Sequence, residues 1–205
     1  MRAPIIKRLG LQRGIRLSPD FLCDEVEYVL GRFPEDELET YLTAERTGRG
    51  LAPRVEKATR QGILDVIEAF RQETSKLGHV DWEDLPARLQ ELDSLEYDIV
   101  IIDEAQDFSA NQIRAVQHHL AKDHALTLVI DTIQRLYPRG YTWTEAGLDP
   151  KRVRFYRLRE NHRNTTEIAA LRNAFELQLR ESRGRDKQGQ VWWCSKLKFM
   201  PGRPS

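Results

Sequence analysis

Cysteine is scarce in this chain, with Cys23 and Cys194 far apart and no third thiol near either. A disulfide framework and a cysteine-built zinc site both need more thiols at closer spacing, so two free thiols in a reducing compartment are expected. Long apolar runs are missing as well. No stretch approaches the roughly 18 apolar residues of a membrane span, and the basic segment Met1 to Arg16 is interrupted by Gly and Pro, so no signal peptide is read there. A cytoplasmic protein without membrane contact is the expectation. Charge of one sign is also absent in excess: 32 Lys and Arg balance 32 Asp and Glu. That balance excludes a strong global field for nucleic acid and leaves only local patches. At 205 residues the chain can bury one good core, or one and a half small ones.

What is present divides at residue 96. Residues 1–20 carry basic charge with Pro and Gly and read as a loose arm. Between Phe21 and Leu42, the residues Leu22, Val26, Val29 and Leu30 recur at helical spacing until Gly31 and Pro34, which fits two short helices. A second amphipathic pattern runs from Leu51 to Leu77 through Ile63, Leu64, Ile67 and Phe70, and Gly78 stands where a helix C-terminus needs it. Asp81 then reads as a cap with an acidic first turn, opening a helix to about Leu92.

From Tyr97 the character changes. Ile99-Val100-Ile101-Ile102 is apolar without alternation, which predicts a parallel strand covered on both faces. It runs directly into Asp103-Glu104-Ala105-Gln106-Asp107, and the carboxyl ends of strands are where open α/β sheets bind ligands. Ser109-Ala110-Asn111-Gln112 is a capping-box pattern and predicts a helix to about Leu120, carrying His118 and His119 as solvent-facing residues. Ala125 to Ile130 is the next strand, Val153 to Leu158 alternates as a partly exposed one, and Asn164 to Glu167 caps a helix to about Leu179. This succession predicts an α/β fold with parallel pairing and right-handed crossovers. Beyond Arg180 the pattern decays into a basic tail with Gly and Pro and one apolar cluster, Val191 to Cys194.

The acid pentapeptide at 103–107 resembles the second motif of the UvrD/Rep-like superfamily 1 DNA helicases. Val129 to Tyr137, with Gly140 and Trp143 beyond, is similar to the third motif, and Leu158 to Thr165 to the fourth. Several motifs in the family's order identify more than one motif could. The resemblance is strongest from about Tyr97 to Phe175; upstream, Tyr41 to Arg49 looks like the region such helicases insert before the acid motif. It implies a partial RecA-like parallel sheet of the P-loop NTPase type at 96–180, a helical region at 1–95, and an irregular tail at 181–205. It further implies that Asp103 holds Mg²⁺ through a water, that Glu104 deprotonates the water attacking the ATP γ-phosphate, that Gln134 senses that phosphate, and that Arg163 stabilises charge in the transition state. Tyr137 and Trp143 would stack single-stranded DNA bases. Read from the residues alone, Asp103 and Glu104 are strand-end acids capping a helix, Gln134 is a turn residue, Arg163 is a surface ion pair with Glu160 or Glu167, and Tyr137 and Trp143 are core, Trp143 above all.

The departures carry weight too. His162 stands where the family often has Tyr, and Ile130 where it often has Gly. No Gly-x-x-x-x-Gly-Lys-Ser/Thr occurs, since Gly48-Arg49-Gly50 lacks a lysine at the required offset. The later motifs of a second RecA-like domain are missing. The expectation is therefore an internal slice of a larger ATP-dependent DNA helicase, inactive as an isolated chain, with single-stranded DNA as partner and, if a separate polypeptide carries them, the missing helicase domains as well. The alternative is a non-catalytic remnant that binds nucleic acid or a partner; a magnesium-dependent nuclease is disfavoured because no second acidic strand end is well placed.

Overall fold

The computed structural model of the protein describes residues 2–46, 54–130, 141–154 and 156. Helix α1 spans Arg2–Gln12, α2 Pro19–Arg32, α3 Lys57–Lys76 and α4 Leu85–Gln90; strand β1 spans Tyr97–Ile102, helix α5 Ala110–His118 and strand β2 Leu120–Leu128. Short 3-10 turns at Glu35–Leu42, Trp82–Asp84 and Ala105–Asp107 connect them. The chain is thus mixed helix and strand, with β1 and β2 paired in parallel. Among the described residues no helix is long and apolar enough to cross a membrane.

The first correction falls on the amino terminus, where a loose arm was expected and α1 is found. Each residue that reads as a breaker occupies a position a helix tolerates. Pro4 sits in the first turn, whose N–H groups have no intrahelical acceptor to lose. Gly14, at φ +65°, closes the helix: its N–H bonds Leu11 O at 3.1 Å, and Ile15 N–H bonds Gly10 O at 3.0 Å. Ile6 and Leu9 are then buried against Leu22, Val26, Ile63 and Ile67 from α2 and α3.

Helix α2 begins as its sequence demands, with the Ser18 hydroxyl accepting from Phe21 N–H at 3.2 Å and Pro19 in the first turn. Its buried residues include two charges, Glu25 and Arg32, and Glu25 is fully enclosed. The Tyr41 hydroxyl donates to Glu25 at 2.7 Å, and Arg46 donates at 2.8 and 2.6 Å. Burial, followed by the neighbouring Glu25 carboxylate, pushes the Tyr41 hydroxyl far above the ordinary phenol range. Helix α3 ends as its sequence predicts: Gly78 adopts φ +66°, and His79 N–H bonds Thr74 O at 3.0 Å. Asp81 does not cap the turn after it; its carboxylate faces Arg2 of α1 at 3.3 Å instead, an ion pair from a helix that was not expected. Cys23 is a free thiol, raised chiefly by burial.

The strand unit lies against α2. Asn111, in the first turn of α5, donates to Leu30 O at 2.6 Å and Phe33 O at 2.8 Å, occupying two carbonyls at the end of α2. Arg114 donates to Arg32 O at 2.6 Å and also to Asn111 Oδ1 and Glu145 O. Arg32 in turn bonds Glu145, Tyr28 and Glu45 O. Burial alone raises the Glu145 carboxyl, but the Thr142 N–H, the Arg32 guanidinium and the Thr142 hydroxyl together hold it below the usual carboxylate range.

Two corrections concern the strands. Among the described residues β1 is covered on one face only: Val100 and Ile102 turn toward α5 and Leu126 and Leu128, while Ile99 and Ile101 stand 71% and 68% exposed. The unbroken apolar run predicted two covered faces because it records the chemistry of both faces, and among the described residues only one layer meets the sheet. Strand β2 starts earlier than predicted, at Leu120, because a register shift lets Tyr97 pair with Leu120 and Ile99 with Ala125. His118 is exposed as expected, but His119 is buried. Its Nδ1 accepts from Leu95 N–H at 3.3 Å, because the helix ends there and the loop into β1 folds over it. Val153, Arg154 and Tyr156 follow irregular backbone rather than a strand, and Val153 packs on the sheet's core. The rest of that expected strand, the helix expected at Asn164, the tail after Arg180 and Cys194 lie outside the described residues.

Candidate nucleotide site

Strand β1 ends at Ile102 because the next two residues are carboxylates that cannot join the apolar layer. The ladder runs slightly past it: Val129 N–H bonds Ile102 O at 2.8 Å, and Ala105 N–H bonds Val129 O at 2.9 Å. These two bonds fix both ends of a short excursion that lifts Asp103 and Glu104 out of the sheet. Both side chains are exposed.

The excursion is built from its own polar groups. Asp103 Oδ1 accepts from Glu104 N–H at 2.9 Å. Glu104 takes the left-handed conformation, φ +51° and ψ +37°. That region is uncommon for a residue with a Cβ, and the conformation turns the chain sharply into the 3-10 turn after it. Ala105 is completely buried, which anchors the turn, and Gln106 is buried with its amide donating to Glu104 Oε2. Ser109 then starts α5 with the reciprocal bonds its spacing predicts: Gln112 N–H to Ser109 Oγ at 3.3 Å, and Ser109 N–H to Gln112 Oε1 at 2.8 Å. Two carboxylates are therefore presented side by side at the carboxyl end of a parallel strand, one of them gripped by a buried amide.

No protein-family model, curated protein or solved structure matches the chain. The site has to be judged on its own geometry.

That geometry brings Asp103, Glu104 and Gln106 together. Trp143 is half-buried, its ring edge-on to Tyr141 at 6.3 Å between centroids, and it packs against the core of the sheet unit. Gln134, Tyr137 and Arg163 lie outside the described residues, as does Gly140. Sequence reasoning gave no role to Gln106 beyond its place in the pentapeptide; its amide two residues after a carboxylate was the available signal. It also missed Asn111, Arg114, Arg32 and Glu145, which hold the sheet unit on α2. Arg32 and Glu145 are 113 residues apart, a separation at which no local pattern could have paired them.

The acids can serve a hard cation in a restricted way. Among the described residues no group of three or more His, Cys, Asp or Glu encloses a metal position. Mg²⁺ does not need such a cage, because it keeps several waters and is bound through one or two carboxylates together with substrate phosphates. Two adjacent exposed carboxylates, Asp103 and Glu104, are donors of the kind such a shared ion would use.

Proposed function

We propose that this chain is part of an ATP-dependent DNA helicase of the UvrD/Rep-like kind, its parallel strands forming part of a RecA-like sheet, and that it is inactive in isolation. The observation that carries this reading is the placement of Asp103 and Glu104 at the carboxyl end of β1, on a turn locked to β2 by Ala105 and gripped by Gln106. Asp103 would hold Mg²⁺ through a water, and the ion would neutralise charge on the ATP phosphates. Glu104 would take the proton from the attacking water through Oε1, since Oε2 already accepts from Gln106. By resemblance, Gln134 and Arg163 would approach the γ-phosphate, and Tyr137 with Trp143 would stack single-stranded DNA. A phosphate-binding loop and the remaining domains of such a motor would complete the site.

Titration of the purified chain with a fluorescent ATP analogue tests this. Weak binding that requires Mg²⁺ and is lost in Asp103→Asn is the expected result, with negligible turnover. Binding indifferent to Mg²⁺ and to that substitution overturns the nucleotide reading. ATPase activity above background that Glu104→Gln abolishes overturns the inactivity of the isolated chain.

One observation favours a second reading, a non-catalytic remnant that binds nucleic acid or a partner: the whole sequence lacks the Gly-x-x-x-x-Gly-Lys-Ser/Thr loop from which nucleotide affinity largely comes. Salt-dependent binding of single-stranded DNA in an anisotropy titration, without nucleotide binding, selects it.

A further inference from the structure

Between α1 and the end of α3 lies a pocket of about 150 Å³, walled by Arg2 and Ile5 of α1, Phe70 of α3, and His79, Val80 and Asp81 beyond it. The last wall exists because Gly78, at φ +66°, turns the chain back, and His79 N–H bonds Thr74 O at 3.0 Å. The walls divide by chemistry. Ile5, Phe70 and Val80 offer apolar surface, while Arg2 Nη1 faces Asp81 Oδ2 at 3.3 Å, the two side chains keeping only 22% and 12% of their exposure.

That ion pair leaves polar atoms over. Arg2 Nε, Arg2 Nη2 and Asp81 Oδ2 are all buried, and none has a hydrogen-bond partner among the described residues. Buried polar atoms are nearly always paired, so two donors and one acceptor left over on facing side chains of a pocket mark a place for the complementary groups. Nε and Nη2 share one edge of the planar guanidinium, and their parallel N–H groups match the two oxygens of a carboxylate. Asp81 Oδ2 calls for a donor, and a cationic donor makes the stronger bond. Arg2 and Asp81 cancel in charge, so a ligand of single charge would bring an uncompensated one into the pocket, whereas a zwitterion does not. An apolar cavity of similar volume takes benzene, which sets the ligand at about six to eight non-hydrogen atoms.

We propose that this pocket binds a small free amino acid with an aliphatic side chain: its α-carboxylate on the Nε and Nη2 edge of Arg2, its α-ammonium on Asp81 Oδ2, and its side chain against Ile5, Phe70 and Val80. The proposal uses neither Asp103 nor Glu104, so it stands or falls separately from the nucleotide reading.

The test uses the full chain with L-valine as the probe, followed by saturation-transfer NMR at neutral pH. Saturable binding is expected. Isovalerate, which is valine without its ammonium, and isobutylamine, which is valine without its carboxylate, should each bind about tenfold more weakly or worse. Arg2→Gln and Asp81→Asn should each weaken valine by a similar factor. Both also break an ion pair, so far-UV circular dichroism checks that they fold. If they do not, Val80→Trp carries the test: it fills the pocket from an exposed position, leaves Arg2 and Asp81 as they are, and should abolish binding. Absence of saturable valine binding up to about 10 mM overturns the proposal and leaves the pocket to water. Valine binding that Val80→Trp leaves unchanged overturns it too, by placing the ligand elsewhere. Isovalerate bound as tightly as valine overturns the amino-acid assignment in favour of a simple carboxylate.

Discussion

The helices before residue 90 and the strands after residue 97 bury their isoleucines in opposite ways. Ile6, Ile63 and Ile67 are enclosed by three helices, and even the charged Glu25 among them has its tyrosine and arginine. In the strand unit, Ile102 and Ile113 are enclosed while Ile99 and Ile101 are left bare. The first region is a closed core that a single chain completes. The second buries one side of its sheet, and it is the one that carries the paired carboxylates. The closed core and the candidate site are therefore separated along the sequence. The Asn111, Arg114, Arg32 and Glu145 network joins the two.

The comparison can be sharpened most by making the same substitution in both halves. Ile67→Ala removes packing from an enclosed site and should cost about 3 kcal/mol in urea unfolding, whereas Ile101→Ala should cost under about 1 kcal/mol, the scale of strand propensity alone. Equal losses would break the contrast, because they would mean that the open face is covered. Asn111→Ala tests the joint between the halves. It strands two carbonyls at the end of α2, and a loss of about 2 kcal/mol is expected. Far-UV dichroism and Trp fluorescence should then cease to report one coincident transition. The smallest effect concerns pH. The Glu145 carboxyl is held below its ordinary value of 4.5, so the stability it contributes is fully present above that value and is lost as pH falls through the lower, folded one. Unfolding midpoints measured from pH 6 downward should show this acid loss in the parent chain and less of it in Glu145→Gln.

Much of the architecture was legible because it rests on local rules. The capping box at Ser109, the closing glycine at Gly78 and the apolar run of β1 each specify a structure within a few residues, and the parallel pair followed from their order. Residues 2–12 form a helix that the sequence hides, because Pro4, Gly10 and Gly14 signal a break only when their place within a helix is ignored. The open face of β1 escaped because a strand's composition states which surfaces need cover and not what supplies it. His119 escaped for a related reason: its burial is imposed by the loop at Leu95, 24 positions away. At the candidate site the acids and their strand end were readable, while the grip of Gln106 on Glu104 depends on a turn that no propensity rule describes.

That turn places a glutamate where glycine or asparagine would sit at lower cost, because the left-handed region repels a Cβ followed by a long side chain. If Glu104 has the role proposed above, position 104 is a point of conflict between folding and use. A library varied at this codon and selected only for resistance to heat or protease should drift toward Gly and Asn. The same library selected for whatever the carboxylate does should return Glu, and the gap between the two outcomes would reveal the demand that function makes on this backbone.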